Sequence, residues 1–151
     1  MSVLSLASGA SAWRGYEYYH DKRVKSFTQT EGNTYDAEVL GSGGKVYHVH
    51  MDPEHPRRST CDCPHAKGKR IQCKHLVAVY FTAFPKEAEH YYQDVVAYEE
   101  EEARRQEEEE DRVVKYIVKM RKEELQQALL TLLFDGPEWQ YDRFIREWVE
   151  R

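Results

Sequence analysis

Three cysteines and a histidine stand at a spacing that suits a metal ion: Cys61-x-Cys63, nine intervening residues, then Cys73-x-His75. These are the only cysteines in the 151-residue chain. An odd number of thiols crowded into so short a stretch makes a poor disulfide framework. Where thiols stay reduced, such clusters serve metals or catalysis. Zinc takes four ligands in a tetrahedron, and thiolate and imidazole are good donors. Cysteines two apart on a strand share a face, so Cys61 and Cys63 can converge on one ion. Cys73 and His75, at the first turn of a helix, can bend toward the same point, where helix N–H groups stabilise thiolates. Three thiolates and one imidazole close the shell and leave no place for water, which is the structural pattern of zinc rather than the catalytic one. The competing readings are ordinary buried cysteines with a stray histidine, or a catalytic Cys–His pair. Two neighbouring thiols and a basic loop do not by themselves build a nucleophile, a base and an orienting group.

Charge is distributed unevenly around this cluster. The net charge of −5 argues against a general DNA-coating protein. Yet residues 57–75 carry Arg57, Arg58, Lys67, Lys69, Arg70 and Lys74 against the single acid Asp62, a local +5. Residues 99–111 carry nine acids and two arginines, a local −7. The basic group is a candidate phosphate-binding surface, or simply a solvated loop. The acidic run could mimic nucleic acid, dock on a basic partner or fold back over the basic loop. The plainer alternative is a solvated helix face, with Glu101–Arg105 and Glu108–Arg112 as pairs four residues apart. His48, His50 and His55 could form a second metal site, although histidines alternating on a strand are more often exposed polar residues. His65, beside the second cysteine, is read as free of the metal.

The elements that must position these groups follow from the hydrophobic pattern. Residues 12–23 read as a short helix with an aromatic side, weakened by Gly15. Residues 24–30, 34–40 and 45–51 read as three strands joined by turns at Glu31-Gly32-Asn33 and at residues 41–44, an antiparallel meander. Alternation puts Tyr35, Ala37 and Val39 on one face of the second strand, and Tyr47, Val49 and Met51 on one face of the third. Residues 52–58 form a loop, because two prolines break any ladder. Residues 59–63 form a short fourth strand that delivers the first two cysteines. Residues 73–84 are a buried helix that stops near Pro85, although the β-branched run makes a strand the rival reading. Residues 86–120, 123–134 and 138–150 are helical, with Asp135-Gly136-Pro137 ending the second of them. The leucine-rich stretch 125–134 is expected to pack against the last helix; exposed, it would be a partner surface.

The segment Cys61-Asp62-Cys63-Pro64, then Cys73-Lys74-His75 followed by Leu76-Val77-Ala78-Val79, resembles the SWIM-type zinc finger. The upstream Arg14-Gly15, Val24 and the strand meander resemble the lead-in of bacterial members, so the likeness covers residues 12–84. The family occurs in helicase-like ATPases of the Swi/Snf class, in transposase-related proteins and in signalling proteins. It implies zinc binding and a role in binding DNA or protein. This chain lacks the phosphate-binding GxxxxGK[ST] loop, so any ATPase would be a separate partner.

The expected fold is therefore α+β: a small antiparallel sheet with a zinc-binding strand-loop-helix, followed by an α-helical C-terminal extension. The expected domains are a zinc-finger domain at 1–85 and an acidic helical extension at 86–151. One structural Zn2+ is expected on Cys61, Cys63, Cys73 and His75. The expected role is a binding module rather than an enzyme, in the cytoplasm, with no secretory signal in the opening residues and no membrane or small-molecule substrate. Its partner would be nucleic acid held by Arg57, Arg58, Lys67, Lys69, Arg70 and Lys74, or a protein such as a Swi/Snf-class ATPase.

Overall fold

The computed structural model describes residues 2–30 and 32–150. The chain forms two compact units, Met1–Ala97 and Tyr98–Arg151. The first unit opens with two helices, α1 (Val3–Leu6) and α2 (Gly9–His20), each started by a serine cap at Ser2 and Ser8. Four strands follow: β1 (Val24–Gln29), β2 (Tyr35–Leu40), β3 (Val46–Met51) and β4 (Thr60–Cys61). They pair as an antiparallel sheet in the order β1-β2-β3-β4. Helix α3 (Lys74–Ala83) then runs into α4 (Pro85–Lys119), whose first residue is the proline that the start of a helix tolerates best. The expected turn at residues 31–33 includes Glu31, which lies outside the described residues. The turn between β2 and β3 holds Gly43 and Gly44 at φ +77°, which side chains rarely adopt.

Register sets the faces of the sheet. Ala37 lies opposite Val49, Tyr35 opposite Met51 and Val39 opposite Tyr47. Ala37, Val39, Val49 and Met51 are buried, as their alternation requires. The other face pairs carboxylates with imidazoles. Asp36 Oδ1 lies 2.7 Å from His50 Nδ1, and Glu38 Oε1 lies 3.3 Å from His48 Nε2. Helix α3 covers the apolar face. Seven consecutive residues, His75 to Phe81, are buried, so this helix is enclosed on every side. A run that is apolar all round has no helical stripe to read, which is why a strand competes with it in the sequence. Burying side chains such as Phe81, Leu76 and Val77 contributes about 1.5–3 kcal/mol each.

Helix α2 packs across α3, and Gly15 makes that approach possible. A Cβ at Gly15 would lie 2.4 Å from Val77 Cβ. The glycine that weakens the helix reading by propensity is therefore a packing requirement. Aromatic contacts extend the layer: Tyr16 and Tyr19 both reach Phe81, and Phe81 reaches Tyr91 on the first turns of α4.

The second unit is helical. The acidic part of α4 is solvated, but its ion pairs differ from the expected Glu101–Arg105 and Glu108–Arg112. Arg104 bridges Glu101 at 2.5 Å and Glu108 at 3.2 Å, Arg105 pairs with Glu102, and Arg112 lies 3.8 Å from Glu109. With acids at both three and four residues' distance, each arginine has a choice, and most turn to the nearer turn. Helices α5 (Lys122–Phe134) and α6 (Glu138–Phe144) follow, and Ile145–Val149 closes as a wider π-helical turn. The leucines of α5 do not form the expected core: Leu133 is buried, while Leu125, Leu129, Leu130 and Leu132 are exposed. No helix among the described residues is long and apolar enough to cross a membrane.

Substituting Gly15→Ala should lower stability by about 1–3 kcal/mol through overpacking against Val77. The thermal midpoint of the zinc-loaded protein checks this, and an unchanged midpoint would contradict the close α2–α3 approach.

Candidate metal centre

Cys61, Cys63, Cys73 and His75 converge, with their ligand atoms all within 4.8 Å of one another and all four side chains buried. Different elements deliver them. Cys61 lies opposite Val49 on β3, so it shares the apolar face that α3 covers. The fourth strand is shorter than expected and ends at Cys61; Cys63 lies in the following turn. The turn is closed by N–H groups of Ala66 and Lys67, which donate to the Cys63 carbonyl at 3.0 and 2.9 Å. It bends the chain so that the second sulfur meets the first without strand alternation. Cys73 is the N-cap residue of α3, and His75 lies in that helix's first turn.

The distances suit a tetrahedral ion. His75 Nδ1 lies 3.7 Å from Cys61 Sγ and 3.9 Å from Cys73 Sγ. Zinc bonds of about 2.3 Å to sulfur and 2.0–2.1 Å to nitrogen place neighbouring ligand atoms roughly 3.6 Å apart. Backbone N–H groups also reach the sulfurs: Cys63 N–H toward Cys61, Ala66 N–H toward Cys63 and Leu76 N–H toward Cys73. Such outer contacts orient and stabilise metal thiolates. The protonation pattern points the same way. The hydrogen bond from Cys61, against the opposing effect of burial, and the added contact with His75 hold Cys73 down at about 4. That same hydrogen bond, then burial and the Cys73 charge, push the Cys61 thiol far up. Burial first, then the Cys73 charge, raises Cys63. Burial and mutual repulsion thus oppose the ionisation of three neighbouring thiols, and a divalent cation bound among them would favour the thiolate form of each. The four residues fit one structural zinc ion.

Two tyrosines hold the imidazole, and the sequence alone does not single them out for this role. Tyr47 lies 4.7 Å from the His75 ring and Tyr18 meets it edge-on at 5.4 Å. His75 Nε2 is buried without a hydrogen-bond partner among the described residues, so packing rather than a polar contact fixes the ring. Alternation on β3 is the one signal that aims Tyr47 inward. Gly41 leaves room for it, since a Cβ there would lie 2.4 Å from the Tyr47 ring.

The other candidate groups separate from this centre. His48, His50 and His55 do not gather into a second site: each faces a carboxylate, on Asp62, Asp36 and Asp52 respectively. Asp62 ties the knuckle to β3 by accepting the His48 N–H at 2.9 Å. His65 is exposed and outside the metal cluster. Arg57 and Arg58 lie on a short 3-10 turn, and Lys67, Lys69 and Arg70 on the loop between the cysteine pairs; all five are exposed. Buried Gln72 donates to the Pro56 carbonyl at 2.7 Å, so the two basic segments are tied where the loop enters α3. Lys74 instead lays its Nζ 4.4 Å over the Tyr18 ring, a cation–π contact.

The sequence pattern of the SWIM zinc finger matches residues 47–84, and this segment is a SWIM-type zinc finger domain. No curated protein and no solved structure matches the chain significantly.

Cys73→Ser should cut zinc content well below one equivalent and expose residues 59–84 to hydrogen exchange, because the metal supplies folding energy to this loop. Zinc content and exchange protection equal to those of the unaltered protein would refute the assignment.

Proposed function

We propose that the finger is a nucleic-acid-binding adaptor whose zinc holds a basic loop against phosphates. The observation that carries this reading is the state of the loop's cations. Arg57, Arg58, Lys67, Lys69 and Arg70 are exposed and, among the described residues, enter no ion pair. By contrast, Arg104, Arg105, Arg112 and Lys115 on α4 all pair with acids of their own helix. Zinc with three thiolates carries −1, so the surface around it stays positive once Lys74 is included. In this reading residues 1–85 are the working module, residues 86–151 an acidic helical extension, and the setting a reducing cytoplasm. The family likeness extends the proposal to a separate helicase-like ATPase of the Swi/Snf class as the protein that this adaptor serves. The role is binding rather than catalysis: the closed Cys3His set leaves no open position for a substrate.

A second reading, protein binding without nucleic-acid contact, draws on the second unit. Leu129, Leu132, Phe134, Trp139 and Trp148 are exposed there, more apolar surface than a solvated helical pair needs.

Fluorescence anisotropy of labelled single- and double-stranded DNA and RNA, titrated with zinc-loaded protein over a range of salt, separates the two. Binding should weaken steeply with salt. Lys67/Lys69/Arg70→Ala should reduce the log–log salt slope by roughly 2–3 on duplex DNA. No binding at low salt, with zinc bound, would reject the nucleic-acid reading in favour of a protein partner.

A further inference from the structure

A cleft of about 440 Å³ opens beside the metal centre within the first unit. Its walls bring together groups far apart in sequence. The first turns of α2 supply Ser8, Ser11 and Arg14, the start of α3 supplies Lys74, and two loops supply Ser42 and His65. The charged side chains there are Arg14 and Lys74, both cationic, and no carboxylate is among the described residues that line the cleft. The hollow over the polar face of the sheet differs, since there Asp36, Glu38 and Asp62 stand beside His48, His50 and Lys67.

We propose that this cleft binds a phosphate group. Arg14 has no ion-pair partner among the described residues, and its planar fork suits the oxygens of a phosphate. Lys74 adds a second positive charge from the other wall. Two cations outweigh the −1 of a zinc tristhiolate, so the cleft stays positive when the centre is loaded. The hydroxyl of Ser42 is a further donor. Ser8 caps Ser11 N–H at 3.2 Å, which leaves the amides of the preceding helical residues without intrahelical acceptors at the Ala10 wall. His75 also lines the cleft, beside Cys63 and Cys73. A phosphate group, with more acceptor oxygens and a higher charge than a carboxylate, suits two cations and several donors converging from different walls.

The carrier of the phosphate, a nucleic-acid strand, rests on the reading proposed above; the affinity of the cleft for phosphate itself does not. The basic loop would then grip the strand from outside while the cleft seats one of its phosphates.

The test is a 1H–15N NMR titration of the full zinc-loaded chain with inorganic phosphate replacing chloride at constant ionic strength. Amides of residues 8–14 and 73–75 should shift saturably. Arg14→Gln should weaken the half-saturation by about tenfold or more, with zinc content unchanged, and Arg14→Lys should recover part of the loss. Lys67/Lys69/Arg70→Ala should leave the phosphate titration as it is, which separates the cleft from the loop. An oligonucleotide with a 5′-phosphate is then compared with its 5′-hydroxyl twin. A preference for the phosphorylated strand that disappears in Arg14→Gln assigns the cleft to a strand end. Equal affinities, both weakened in Arg14→Gln, assign it to a backbone phosphate. Oligonucleotide affinities untouched by Arg14→Gln, with the phosphate titration still lost, assign it to free phosphate and leave the loop to be judged on its own. The absence of saturable shifts, or shifts identical in Arg14→Gln, would overturn the proposal.

Discussion

Three sulfurs and an imidazole nitrogen are packed into a buried space where burial and mutual repulsion oppose the ionisation of all three thiols. That electrostatic constraint organises the first unit. A cation resolves it, and in doing so ties the end of β4, the knuckle at Cys63 and the first turn of α3 to one point. The polypeptide between these points, residues 64–72, contributes almost nothing to the core: Ala66 and Gln72 are buried and its other residues are exposed. Without the metal, little besides the Gln72 contact to Pro56 and the short turn after Cys63 would give that loop a shape.

The rest of the unit exists in proportion to this task. A four-stranded sheet whose last strand has two residues is too small to stand alone. It gains a cover in α3, and α3 gains a cover in α2, which can approach only because residue 15 has no side chain. The same stacking fixes the ligand geometry. The face of β3 that carries Val49 and Met51 into the core also carries Tyr47 against His75, and α2 brings Tyr18 edge-on to the same ring. Core packing and metal binding are thus one structure, and a change in either is felt in the other. The basic loop stands outside both, and among the described residues its exposed cations enter no ion pair. That arrangement suits a surface whose charges are meant for another molecule.

Much of this was legible in the residues. Spacing alone grouped Cys61, Cys63, Cys73 and His75, because all the cysteines of the chain fall within the pattern. Alternation assigned the inner faces of β2 and β3, since a period of two survives in short strands when one face is buried. Other features were not legible, each for a physical reason. The expectation that strand alternation aligns Cys61 and Cys63 missed the turn, because a two-residue strand leaves no periodicity to detect. Tyr18 and Arg14 owe their places to the packing of α2 on α3, a long-range contact with no local signature. The partners of the α4 arginines have no unique signature in the sequence, because a run of acids offers an arginine such as Arg104 more than one neighbour. The leucines of α5 look like core in any hydrophobic pattern, and their exposure is visible only in three dimensions.

The central claim is that one zinc ion is held by three thiolates and a single imidazole, with no water in its coordination shell. X-ray absorption at the zinc edge of the purified, zinc-loaded chain tests it most directly. The account predicts three sulfur neighbours at about 2.3 Å and one nitrogen at about 2.0–2.1 Å. A shell with two sulfurs, or with an additional light-atom ligand, would contradict it.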